Sequence, residues 1–305
     1  MHPDIGLARA VAVELGLPSQ PIRAASGSGS VNHVYAIGSG DERWVIRFAK
    51  DSLSPNVFEA EAWSATQAAD RGVPTPAVTA FGELYGIPYG VQRFVAGRPV
   101  TDDTNPQPWS TLGAYGHVIN GIQPDATAPA ALFTRFGSDL ESAWASHLAY
   151  NLEQLGSHDE LVREGFLTRE QQHELRRTVT ALRDVPMRFG LSHGDLTPRN
   201  LIEPDVGPRM LIDWGSASFG PVPWADLLSI HHDARLAGTD AAPHLDAFLD
   251  GMGLDLSAVY ATFERFRRLQ LLDLVRWAGD ERSDRVAGAT DDLIAALTTP
   301  DCNLG

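Results

Sequence analysis

Two aspartates and an asparagine, held at fixed spacings, are the side chains of this sequence best suited to doing chemistry. In Leu191-Ser-His-Gly-Asp-Leu-Thr-Pro-Arg-Asn200, Asp195 precedes Asn200 by five positions. Asp213 follows thirteen residues later, delivered by the apolar run Met210-Leu-Ile212. A carboxylate can accept the proton of an attacking hydroxyl. A second carboxylate and a carboxamide oxygen suit Mg2+, a hard cation that prefers oxygen ligands. Phosphoryl transfer needs this division of labour. Gly, Pro, Asn and Asp are also ordinary turn residues, so the same stretch could be a solvated loop. Several chemically required residues agree in both type and order, and that favours the chemical reading.

At these residues the chain resembles a known family. His193-Gly-Asp-Leu, Asn200 and Ile212-Asp-Trp-Gly215 are similar to the catalytic core of the aminoglycoside phosphotransferase and choline-kinase-like group. Members share the protein-kinase architecture but phosphorylate small molecules, and Gly194, where protein kinases carry Arg, is typical of that branch. The resemblance implies that Asp195 is the catalytic base, that Asn200 and Asp213 hold Mg2+, and that ATP or GTP is the phosphoryl donor. It further implies an α+β, bilobal protein-kinase-like fold. The small N-lobe, residues 1–95, would hold an antiparallel sheet with one helix and bind nucleotide. The larger, mainly helical C-lobe, residues 96–305, would carry the catalytic loop, the metal site and the substrate-binding helices.

The elements that position these groups can be read in order. Residues 3–16 read as a short amphipathic helix ended by Gly16 and Pro18. The small-residue stretch Ala25-Ser-Gly-Ser-Gly-Ser-Val-Asn32 runs into a strand, and Ser39-Gly-Asp-Glu42 turns it back into Arg43-Trp-Val-Ile-Arg-Phe48. A glycine- and serine-rich tip lets backbone N–H groups approach phosphate oxygens, with Ser28, Ser30 and Asn32 as polar contacts. By the resemblance, the cation for the nucleotide phosphates is Arg47, with Lys50 as a rival; Arg offers phosphate a planar fork. A helix over 55–71 starts at Ser54 and Pro55. Its Glu61 stands eleven residues before Gly72-Val-Pro-Thr-Pro76, the spacing at which the family's helix glutamate pairs with the strand cation. Further strands occupy 77–95, and by the resemblance the backbone from Gln92 through Phe94 to Val95 meets the adenine edge.

Helical periodicity then marks 109–122, 140–155 and 169–182. The family often has a His near the end of the first of these, where this chain has Asn120. His193 reads as a structural residue packing the catalytic loop, and Arg199 as either a phosphate contact or a solvated cation. Glu203 and Asp205 belong to a hairpin joining 201–202 to 210–212. Residues 214–223 read as a loop, and Asp226 resembles the acid that anchors the catalytic loop through its backbone. Adjacent His231 and His232 point in different directions on a helix and are not read as metal ligands.

Composition limits the alternatives. The chain has 305 residues, 43% hydrophobic and 21% charged, as in ordinary globular proteins. A net charge of -15 argues against nucleic acid as a partner. It is compatible with a cationic substrate or simply with solubility. Between 226 and 256, six Asp face one Arg, which would suit an amine-bearing acceptor or form a solvated face. One cysteine, Cys302, leaves no intramolecular disulfide. No export signal and no membrane-spanning run is visible, so a cytoplasmic monomer or homodimer is expected. The resemblance implies that the acceptor is a small-molecule hydroxyl compound, an antibiotic or a metabolite. Two other classes remain open: a catalytically silent nucleotide-binding protein of the same fold, and a metal-dependent hydrolase using His193, Asp195 and Asp213.

Overall fold

The computed structural model describes residues 4–24, 32–49, 57–100, 105–228, 230, 242–281 and 285–298. Ser28, Ser30, Lys50, Ser54, Pro55, His231, His232 and Cys302 lie outside the described residues.

The N-terminal part is a five-stranded antiparallel sheet in the order β1-β2-β3-β5-β4, with β1 (Ile22–Ala24), β2 (Asn32–Ser39), β3 (Glu42–Ala49), β4 (Val78–Leu84) and β5 (Ile87–Arg93). Alternation along β3 sends Trp44, Ile46 and Phe48 into the core on one face, which leaves Arg47 on the other. Helix α1 (Ile5–Glu14) covers the apolar face through Leu7, Ala8, Val11 and Ala12, which join Tyr35, Ile37 and Tyr89 in one cluster. Asp4 caps it by accepting from the Leu7 N–H at 2.9 Å. The expected helix at 3–16 is therefore present with slightly shorter ends.

Helix α2 (Val57–Ala69) lies against the other face of this sheet, yet its small residues belong to a different core. Ala60, Ala65 and Ala68 pack with Leu191, Leu196, Leu211, Trp214 and Phe219 of the C-terminal part. Trp63 fastens the junction: its ring meets Phe219 edge-on at 5.6 Å and its indole N–H donates to Thr127 at 3.0 Å. Glu61, buried on this helix, is thus positioned by the C-terminal part of the molecule.

The C-terminal part is mainly helical. Its helices are α3 (Pro106–Ile119), α4 (Leu140–Gln154), α5 (Glu160–Arg163), α6 (Arg169–Leu182), α7 (Ala242–Met252), α8 (Leu256–Glu281) and α9 (Val286–Thr298). Helix α3 starts three residues earlier than its apolar periodicity suggests. Asn105 caps it and Pro106 occupies the first turn, where a missing N–H costs nothing. Helices α3 and α7 cross very closely. A Cβ on Gly113 would stand 2.0 Å from the Phe248 carbonyl oxygen, and one on Gly251 would stand 2.1 Å from that of Ser110. A second cluster, including Leu148, Leu175, Val179, Leu272 and Leu293, joins α4, α6, α8 and α9.

Two small sheets carry the loops between these helices. Strand β6 (Arg98–Pro99) pairs with β8 (Leu201–Glu203), which pairs with β9 (Met210–Leu211), as the 201–212 hairpin predicts. Strand β7 (Arg188–Ser192) pairs with β10 (Ser218–Val222). This corrects the expectation that 214–223 is a loop throughout. Its Gly, Ser and Pro content reads as a turn, but Phe219 and Val222 are buried, and Pro221 is tolerated because this sheet has two strands among the described residues. Among the described residues, no helix is long and apolar enough to cross a membrane.

Candidate active site

Strand β7 ends at Ser192, and the chain turns at once into the Asp195 loop. Gly194 makes that turn possible. Its φ is +79°, and a Cβ there would approach the Ser216 carbonyl oxygen to 2.3 Å. His193 is fully buried against the Trp214 ring, centroids 4.7 Å apart. Its Nδ1 accepts from the Asp195 N–H at 3.3 Å, so Nε2 carries the proton and donates to the Ile212 carbonyl at 3.2 Å. Burial lowers its pKa to about 4, against the smaller upward pulls of Asp195 and Asp213. A neutral imidazole bridging the two loops is a packing group.

Asp226 holds the loop from behind. The Gly194 N–H donates to its Oδ1 at 2.8 Å, and Asn120 Nδ2 donates to its Oδ2 at 3.0 Å and to the Leu191 carbonyl at 2.9 Å. Asn120, buried at the end of α3 where the family often has a His, carries a role that the sequence reading did not give it. Its contribution comes from spanning Leu191 and Asp226, which are far apart in the chain. Complete burial pushes the Asp226 carboxyl up to about 6, offset in part by bonds from Gly194, Asn120 and His193.

These two buried groups have opposite linkage to folding. Between about pH 4 and 6, folded Asp226 keeps a proton that the unfolded chain has shed, so its term destabilises as pH rises through that window. Between about pH 4 and 6.5, folded His193 lacks a proton that the unfolded chain holds, so its term stabilises as pH rises. Each is worth at most about 1.4 kcal/mol per pH unit. They largely cancel. Asp226→Asn removes one side. Relative to wild type, its unfolding free energy is expected to rise by about 1 kcal/mol per pH unit from pH 4 to 6, measured by urea titration at several pH values. Parallel curves for the two proteins would refute this.

Asp195 accepts from two neighbours. Arg199 donates to its Oδ1 at 2.7 Å across one turn, with the guanidinium 63% exposed. Asn200 Nδ2 donates to Oδ2 and to the backbone carbonyl, both at 2.8 Å. The amide nitrogen of Asn200 is thereby spent, which leaves its carbonyl oxygen as the acceptor. The Ile212 N–H donates to the Asn200 backbone carbonyl at 2.9 Å and sets Asp213 beside it. Asp213 has φ 66° and ψ 66°, a left-handed conformation that non-glycine residues seldom adopt. Trp214 Nε1 donates to Thr75 at 3.1 Å and the Leu211 N–H to Pro74 at 2.8 Å, tying this segment to the turn after α2.

Arg47 and Glu61 meet as expected. Arg47 donates to the Glu61 carboxylate, reaches Gln92 Oε1 at 3.4 Å and stands 3.8 Å from Asp213. Its Nε is buried, with no partner among the described residues. Burial raises the Glu61 carboxyl pKa; the charge and hydrogen bond of Arg47 pull it down, and Asp213 adds a smaller upward push. Glu61→Gln keeps the shape but removes the charge that holds Arg47. A stability loss of about 2 kcal/mol is expected, with a rise in nucleotide KM that exceeds the fall in kcat. Thermal melts and initial rates check it; unchanged KM would remove Glu61 from the nucleotide site.

Gln92 lies in the β5 ladder opposite Val45, and the Phe94 N–H donates to the Arg43 carbonyl at 3.0 Å. Phe94 therefore contributes its N–H to the sheet, and Val95 follows it between the two parts of the molecule. The Asn32 side-chain oxygen is buried at the start of β2, with no partner among the described residues. Among the described residues, no cluster of three or more His, Cys, Asp or Glu could hold a metal ion.

Solved structures with the same fold include the GDP complex of aminoglycoside 2'-phosphotransferase-IIIa, at 16% identity and TM-score 0.66, covering 96% of this chain and 98% of that one. A thermostable mutant of aminoglycoside phosphotransferase APH(4)-Ia, in ternary complex with AMP-PNP and hygromycin B, matches at 19% identity and TM-score 0.64, covering 95% and 97%. Choline kinase LicA from Streptococcus pneumoniae matches at 14% and 0.63, covering 96% and 98%. Among curated proteins there is no significant match. Residues 23–264, which contain the sheet, α2, the Asp195 loop and Asp213, match the phosphotransferase enzyme family, and the chain belongs to that family.

Proposed function

We propose that this protein transfers the γ-phosphoryl group of a magnesium-bound nucleoside triphosphate to a hydroxyl of a small molecule, an antibiotic or a metabolite. Residues 1–95 hold the nucleotide, and 96–305 supply the catalytic loop and the acceptor site. The observation that carries this reading is the convergence of Asp195, Asn200, Asp213 and the Arg47–Glu61 pair from four separate elements.

The oxygen donors fit Mg2+. Asn200 has its nitrogen committed and its carbonyl oxygen left over, and Asp213 is a carboxylate with its side chain 56% exposed. These two residues would hold the ion, which when bound neutralises charge on the transferring phosphates. Arg47, steadied by Glu61, brings a guanidinium that can donate to phosphate oxygen. The stretch from Gln92 to Val95 meets the base. The acceptor oxygen attacks the γ-phosphorus, the bond to the bridging oxygen breaks, and the hydroxyl proton passes to Asp195. Positioning and charge stabilisation supply the rate.

The test is release of nucleoside diphosphate with Mg2+ and either ATP or GTP across hydroxyl acceptors. Acceptor-dependent release supports the reading. Acceptor turnover without any nucleotide would overturn it.

A further inference from the structure

Beside the Asp195 loop, a cavity of about 330 Å³ opens between α4, the β7–β10 pair and α8. It reaches Ser192 and its register partner Ser218, three residues before Asp195 and five after Asp213. Its walls are chiefly apolar. Trp144 stacks on Phe266 at 5.3 Å and 11°, and Phe219 closes the side that leads to Trp63 and α2. Among the described residues, one carboxylate lines it, Asp273. That group is set by His147 Nε2 at 2.9 Å and by Asn151 Nδ2 at 3.0 Å, one on each oxygen. A carboxylate has about four lone-pair sites, so Asp273 can accept from one more donor. The aspartates described between 226 and 256, namely Asp226, Asp246, Asp250 and Asp255, do not line this cavity.

A buried ammonium needs its own partner, since an unpaired charge in an apolar site is costly. This wall offers one. Flat stacked rings favour an apolar or aromatic body. We infer that the acceptor of this phosphotransferase is a hydroxyl compound with an apolar ring body and a single basic nitrogen paired to Asp273, in preference to a polyamino sugar. The inference rests on the small-molecule kinase reading for the fate of the hydroxyl, and on the cavity alone for the binding preference.

Calorimetric titration of the full chain in the presence of Mg-ADP separates the two. The probes are propranolol, an aryl amino alcohol with one basic nitrogen; its neutral naphthyloxy diol analogue; and kanamycin, a polyamino sugar. Propranolol is expected to bind saturably and at least about tenfold more tightly than kanamycin. Asp273→Asn should weaken propranolol about tenfold and leave the neutral diol within about twofold, which also shows that the pocket is still folded. Trp144→Ala should weaken both ring compounds. Kanamycin binding as tightly as propranolol, equal losses for both ring compounds in Asp273→Asn, or no saturable propranolol binding would each overturn the inference. The predicted binding order without nucleoside diphosphate release from Mg-ATP or Mg-GTP would uphold the binding preference of the cavity and count against the kinase reading.

Discussion

Replacing Asp195 with alanine is expected to lower kcat/KM by about 10³-fold or more while leaving nucleotide affinity within about threefold of wild type. A positioned general base contributes about 10²–10⁴-fold, and in phosphoryl transfer the same carboxylate also orients the attacking oxygen. The loss should fall on the chemical step because Asp195 touches neither Arg47 nor Glu61; its partners are Arg199 and Asn200. Asn200 keeps one anchor in the variant, since its amide also donates to the Asp195 backbone carbonyl. Asp195→Asn discriminates further. It can still accept a hydrogen bond but is far weaker as a base, so it should be nearly as slow as alanine. Steady-state kinetics and nucleotide titration measure both. A variant that keeps more than a tenth of the wild-type rate would remove Asp195 from the chemistry.

Legibility in the sequence followed the kind of constraint each residue answers to. Asp195, Asn200 and Asp213 could be read because oxygen chemistry fixes their types and one loop-and-hairpin unit fixes their spacing. Glu61 could be read because helix α2 and the turn at Gly72 share one segment, so the spacing survives in the linear chain. Asn120 could not, since an asparagine at a helix end signals nothing until Leu191 and Asp226 fold against it. Strand β10 was hidden by its own composition; Gly, Ser and Pro mark turns locally, and the pairing with β7 that overrides them is tertiary. The cavity beside the Asp195 loop is the least legible part. Trp144, Phe219, Phe266 and Asp273 come from three distant elements, and nothing in their local patterns distinguishes them from ordinary core or surface residues.

The same contrast gives the second large effect. Asp213→Gly is expected to lower kcat/KM by about 10³-fold and yet cost no stability. Asp213 sits at φ 66° and ψ 66°, and holding a non-glycine side chain there costs about 1–2 kcal/mol. Glycine removes that strain, while its greater freedom in the unfolded chain takes back about 0.5–1 kcal/mol. The contact with Arg47, 3.8 Å away and on the solvent side, adds little once screened. The net change should lie between zero and about 1 kcal/mol in favour of the variant. Nucleotide affinity should lose its dependence on Mg2+, because Asp213 is the exposed carboxylate of the proposed metal site, while Asn200 alone carries no charge. Urea unfolding, paired with nucleotide titrations with and without Mg2+, reads both quantities from one preparation. A strained carboxylate whose removal relaxes the fold and ends the reaction is kept for its chemistry. A glycine variant that unfolds more easily, or that retains its Mg2+ dependence, would make Asp213 a structural residue.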